Sequence, residues 1–233
     1  CKPSSVNWLQ LMSEGFSEGK EIVLGYGPYN KHPGILNKLI RFETFFSALQ
    51  YLSFALAGVP YMGVGRNLAY KKELFFRHKG FLPHQHLPSG DDDLFINAAA
   101  NAGNVAVAVD KQAFTYSEPK HSWSAWFRQK TRHFSTGKYY KGKHKFLLGL
   151  FSLTQFLFWP FFAGALFYSP FRYITLALLG SKLLVQAIIF FSSMKKLGEK
   201  DLFPFFWLFD IGMFIYYIIF TPALIMKPKK RWK

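Results

Sequence analysis

The chain has 233 residues, 50% hydrophobic and 20% aromatic, with 29 Lys and Arg against 13 Asp and Glu for a net charge of +16. A disordered basic tail is excluded, because 28 Phe, 12 Tyr and 6 Trp supply ample material for a core. The charge is uneven: residues 1–118 carry a net +1 and residues 119–233 a net +15. Nearly all the basicity therefore lies beside the most hydrophobic part of the chain, which points to a membrane surface and away from nucleic acid.

The single cysteine, Cys1, excludes an intramolecular disulfide and any Cys-based zinc site. A chain that begins Cys-Lys-Pro reads as a processed product or a piece. A lipidated N-terminal cysteine is one alternative. However, Val6, Trp8, Leu9 and Leu11 start an apolar periodic stretch at once, where a lipoprotein continues into a polar linker, so a cut through a domain fits better.

Residues 1–118 alternate helical and extended signals. Ser4 or Ser5 is placed to cap a helix running to about Gly15, and Glu21–Tyr26 reads as a strand. Leu36 to Ala57 has helical spacing, but Arg41, Glu43 and Gln50 mark it as a buried or membrane-touching helix and not a span. Tyr61–Tyr70 and Val105–Asp110 read as strands, and Asp91–Ala102 as a helix. This mixture predicts part of an α/β layer, with the remainder expected upstream of Cys1.

Residues 119–145 form a basic amphipathic connector: Lys120 to Lys145 holds eight Lys or Arg, three His and no acid. Trp123, Trp126, Phe127 and Phe134 recur near helical spacing among these cations, the pattern of a helix in the headgroup layer with anionic lipids as partners. Three apolar segments follow, at residues 146–168, 171–193 and 203–226. The first has no charged side chain and is long enough at ~1.5 Å per residue to cross a hydrocarbon core of ~30 Å. The later two carry one ionisable residue each, Lys182 and Asp210. In antiparallel helices their depths differ by about 6 Å, which predicts a structural ion pair.

Basic residues before the first span place residues 1–145 on the cytosolic face, and Lys195, Lys196 and Lys200 place the second connection there too. Three crossings would put the basic tail 227–233 outside, so either that tail is an exception or the Pro204 to Pro222 stretch is re-entrant.

The chemistry-bearing residues cluster in three places. Ser89-Gly90-Asp91-Asp92-Asp93-Leu94 sets three carboxylates at a helix start, where one can serve only the helix dipole. Gln129-Lys130-Thr131-Arg132-His133 stands thirty-seven residues beyond Asp92, and Gly65-Arg66-Asn67 lies upstream. His84-Gln85-His86 reads as a surface loop, since alternate histidines rarely chelate without a third ligand. Arg66 and Lys71-Lys72 are placed to face phosphate, but basic residues ending a strand read first as solvated cations.

Together these segments resemble the membrane-integrated glycosyltransferases of family 2, which include cellulose, chitin and hyaluronan synthases. The family's acidic motif matches Gly90-Asp91-Asp92, and its Gln-x-x-Arg-Trp motif matches Gln129 to His133 just ahead of the spans. The resemblance implies the C-terminal half of a GT-A-type α/β domain followed by an α-helical membrane region of about three spans. It implies an inverting transferase in the cell membrane, moving a sugar from a nucleotide-sugar donor to a lipid-linked or glycan acceptor. By motif position Asp92 is the general base, Asp91 orients it or contacts the acceptor, and Asp93 serves the helix. Gln129, Arg132, His133 and Asn67 then contact donor or acceptor, with Arg132 on the diphosphate. A divalent metal, Mg or Mn, is implied as well, on an Asp-x-Asp motif expected immediately before Cys1, so no metal ligand is assigned within the sequence.

Two departures matter. The motif's final Trp is His133 here, which weakens a sugar-stacking platform and with it processive synthesis. The donor half is also missing, so this piece alone is expected to be inactive. The alternatives are a metal-dependent prenyl-diphosphate-type transferase using Asp91–Asp93, for which three spans are few, and a non-enzymatic membrane anchor or partner subunit.

Overall fold

The computed structural model describes residues 1–87 and 89–224. The tail at 227–233 and the end of the third apolar segment at 225–226 lie outside the described residues. The layer begins with β1 (Lys2–Pro3), α1 (Trp8–Glu14), β2 (Ile22–Gly25) and α2 (Ile35–Leu56). It continues with β3 (Leu68–Tyr70), α3 (Lys72–Arg77), α4 (Asp91–Ala99), β4 (Val105–Ala108) and β5 (Thr115–Tyr116).

β2 is the middle strand of three, parallel to β4 with Ile22 opposite Val105 and antiparallel to β3 with Ile22 opposite Tyr70. Side chains alternate across a strand, and β2 uses both faces. Ile22 and Leu24 join the large core with α2 and α4, while Val23 meets Met12 of α1 and Ala113 on the other side. β1 pairs with β5 in a separate two-stranded ribbon.

Two local expectations are corrected. Ser4 and Ser5 do not cap α1; their hydroxyls donate to the carbonyls of Lys111 and Gln112 at 2.8 and 2.9 Å, and the helix starts after Asn7. Tyr61–Tyr70 is strand only over its last three residues, because a turn closed by the Asn67 amide on the Val64 carbonyl (2.9 Å) takes Gly63 to Asn67 out of the sheet.

Beyond the layer come α5 (Trp123–Phe134), α6 (Gly142–Phe167), α7 (Arg172–Leu197) and α8 (Phe206–Phe220). α6, α7 and the segment Lys200–Leu224 are long and apolar enough to cross a membrane. Helix α6 starts ahead of Phe146 because Lys143 and Lys145 sit on its first turns, and Asn97 of α4 holds that end by accepting from the Lys141 amide at 2.9 Å. Lys182 of α7 pairs with Asp210 of α8 as the depth arithmetic predicts, and the Gln186 amide donates to the other Asp210 oxygen at 2.8 Å. The Lys182 ammonium also lies 4.6 Å from the Phe158 ring centre on α6.

α2 is the wall shared by the two regions. Its Phe42 stacks on Phe209 of α8, with ring centres 4.6 Å apart, and Phe45 meets Phe190 of α7 edge-on at 5.5 Å. Arg41, fully buried on α2, donates through Nε to Glu199 at 2.9 Å and through Nη2 to Asp201 at 2.7 Å. Glu199 also accepts from the Tyr26 hydroxyl at 3.1 Å, so the α7–α8 connection is pinned to the end of β2. The other end of the third apolar segment returns to the layer as well, where Phe220 packs on Trp126, Phe127 and Phe134.

That contact corrects the expected placement of the α5 stripe. Trp126 is buried against Tyr216 and Phe220 instead of dipping into lipid, while Trp123 and Phe127 stay about half exposed.

Candidate functional site

A cavity of about 1120 Å³ lies where β2, α4 and α5 meet α2, α6 and α8. Asp91, Asp92 and Asp93 line it together with Gln129, Arg132 and His133, so the two motifs that stand apart in sequence share one enclosure. Asn67 is the exception. Its side chain donates to the carbonyls of Tyr26 (2.8 Å) and Ala113 (2.7 Å) and accepts from the Trp8 indole (3.0 Å), which makes it a strut beneath the site.

The three aspartates face three ways. α4 is entered through Gly90 at φ 98°, a left-handed backbone that favours glycine. Asp91 then stands exposed on the cavity wall. Asp92 is half-buried, and its Oδ2 accepts from the Gly65 amide at 2.6 Å while Oδ1 accepts from the Asp93 amide at 2.9 Å. A Cβ added at position 65 would lie 3.0 Å from Asp92 Oδ2, so any larger residue there presses on this carboxylate.

Asp93 does more than serve its helix. It is buried, and its Oδ2 accepts from the Thr136 hydroxyl (2.8 Å) and the Tyr140 hydroxyl (2.6 Å), clamping α4 to the chain that follows α5. Burial pushes its carboxyl up to about 6, helped by the neighbouring Asp92 charge and opposed by those hydroxyls.

On α5, Ser122 caps the helix by accepting from the Ala125 amide, and the next turns carry Gln129, Lys130, Arg132 and His133 toward the cavity. Lys130 is buried and ion-paired with Glu43 of α2, which also accepts from the Tyr216 hydroxyl at 3.2 Å. His133 lines the cavity wall and is exposed there. The surrounding chain desolvates the imidazole, and with the positive charges of Lys130, Arg132 and Arg66 nearby this pushes it below its usual range, which favours the neutral ring at physiological pH.

Arg66, for which the sequence favours a solvated cation over a phosphate contact, lines the cavity. Its guanidinium carbon lies 4.0 Å from the Tyr29 ring centre, and Nη1 is buried without a hydrogen-bond partner. No local sequence signal settles this, because Arg66 sits in the turn before β3 and its contact is with the distant Tyr29.

Among the described residues no group of three or more His, Cys, Asp or Glu converges as a metal site. The aspartates present do not by themselves fit a divalent ion, since one carboxylate is tied to backbone amides and another to two hydroxyls. No step below is routed through a metal. No family model matches the chain, and a search of curated proteins returns no match.

Proposed function

We propose that the chain is the acceptor half and membrane anchor of an inverting glycosyltransferase that works at a membrane face. The observation that carries this reading is the shared cavity: carboxylates at the start of α4 oppose a neutral imidazole and two arginines. Such a set suits displacement at an anomeric carbon. A carboxylate takes the proton of an acceptor hydroxyl while its oxygen attacks, the bond to the diphosphate breaks, and the configuration inverts.

Asp92 is the proposed base. Its two backbone hydrogen bonds fix the carboxylate and leave lone pairs free on both oxygens. Arg132 offers a planar, permanently charged partner for the leaving diphosphate, and Gln129, one helical turn earlier, offers an amide to acceptor or phosphate. Neutral His133 donates one hydrogen bond and accepts another, a substitute for the stacking surface that a Trp would give. The donor nucleotide and a divalent ion would be held mainly by chain upstream of Cys1.

A second assignment has support of its own: Asp91 is the exposed carboxylate, so it is the readier of the two to meet a hydroxyl. Substituting each by Asn in the full-length protein separates them. With Asp92 as base, D92N lowers transfer by roughly 10²- to 10⁴-fold while donor binding, read by calorimetry, is unchanged. A D92N enzyme with full turnover and a dead D91N enzyme would move the role to Asp91. Full turnover in both takes the role of base away from the exposed α4 carboxylates, and absence of transfer by the wild-type protein ends the transferase reading.

A further inference from the structure

The cavity changes character along its length. Its upper part holds the acids and cations described above. Its lower part follows α6 through Lys145, Leu148, Leu153 and Phe156, a run of about 16 Å at the helical rise, and faces Met213 and Ile218 of α8. Ser152, Tyr216 and Tyr217 add a few polar atoms, but the Leu, Met, Ile and Phe side chains between them suit a hydrocarbon chain, for which burial is worth about 0.8 kcal/mol per methylene.

The upper end supplies the matching headgroup contact. Arg66 keeps a buried nitrogen without an acceptor, an arrangement that costs stability unless a ligand completes it. Lys130, the neighbouring cation, is already neutralised by Glu43, so the charge of Arg66 remains for an anion. Its plane is held over Tyr29, which presets the fork that phosphate oxygens accept from.

We infer that this cavity binds a single-chain lipid phosphate, with the phosphate on Arg66 and the chain along the α6–α8 wall. Calling that molecule the sugar acceptor rests on the transferase reading; its binding does not. One chain is favoured because the apolar track follows a single flank between two helices. The ligand would enter from the bilayer, which α6 and the segment Lys200–Leu224 that contains α8 are long and apolar enough to cross.

Calorimetric titration of the full-length chain in nonionic detergent with farnesyl phosphate tests this. Farnesol and inorganic phosphate are the controls, each expected to bind at least about tenfold more weakly, since each lacks one of the two contacts. Arg66→Gln should weaken farnesyl phosphate by about ten- to a hundredfold and leave farnesol unchanged. Arg66→Lys, which keeps the charge without the planar fork, should fall between, and thermal melts of both variants report whether the fold is intact. Leu153→Trp, filling the lower wall, should weaken farnesyl phosphate and spare inorganic phosphate. Wild-type affinity in a folded R66Q protein overturns the assignment. So does inorganic phosphate binding as tightly as farnesyl phosphate, which would make Arg66 a contact for a soluble phosphate. Equal competition by a two-chain phosphatidic acid would overturn the single-chain track. None of these outcomes depends on turnover, so the role of Asp92 stands or falls separately.

Discussion

The layer and the membrane helices are held together by different means. In the layer, buried polar groups meet directional partners: Asn67 makes three hydrogen bonds, Asp93 accepts two, and Asp92 is fixed by two backbone amides. In α6, α7 and α8 most contacts are between rings and aliphatic side chains, many remain exposed, and a polar centre joins Lys182, Gln186 and Asp210. Directional bonds fix positions to fractions of an ångström, while apolar contact fixes only neighbours. The cavity lies on the seam, so its acidic end is rigidly placed and its apolar end is adaptable.

The largest effect expected from testing that contrast is on activity. Beyond the aspartate pair, G65A should lower turnover by an order of magnitude or more with little loss of stability, because the new methyl displaces the Asp92 carboxylate. Wild-type turnover in G65A would show that the Gly65 contact does not position the base.

Next in size is the seam itself. Arg41→Met leaves Glu199 buried with only the Tyr26 hydroxyl, and should cost about 3–5 kcal/mol by denaturant titration in detergent. A smaller loss than for the membrane pair would reverse the ranking of the two regions.

Asp93 gives a pH signature. Because the folded carboxyl titrates at about 6 and the reference value is 3.8, the native state holds this proton more tightly than the unfolded chain. Its contribution to stability is full below pH 3.8 and is lost as the pH rises to about 6. D93N removes that loss, so relative to wild type it should gain on the order of 3 kcal/mol between pH 4 and pH 7. A difference that stays flat across that range would mean Asp93 is ionised at no cost.

The smallest expected effect is in the membrane. Lys182→Met should cost about 1–2 kcal/mol, and the double change with Asp210→Leu should recover most of it, since removing both partners leaves no unpaired charge. A double variant as unstable as the sum of the singles would give the pair a role beyond mutual neutralisation.

The elements of the layer were legible where periodicity is strong: β2, α2 and α4 lie within a residue or a few of their expected ranges. The Lys182–Asp210 pair was legible because depth along an apolar helix is arithmetic. Contacts made by turns were not. Nothing in Gly63-Val64-Gly65 announces that its last amide will reach Asp92, or that Arg66 will end inside a cavity while Asn67 turns beneath it. The α5 stripe misled for a related reason: amphipathic periodicity says that a face is covered, and both lipid and the aromatic end of α8 would cover it.

α2 has a consequence for biosynthesis. Its Arg41 finds Glu199 158 residues later in the chain. At roughly 5–20 residues per second the ribosome needs about 8 to 32 s to deliver that partner. Through this interval α2 carries an unpaired guanidinium among exposed Phe rings, so the nascent layer has no finished wall until the α7–α8 connection emerges. Closure of the wall therefore waits for the α7–α8 connection, and a truncation ending before Glu199 should accumulate as an aggregate and not as a free layer.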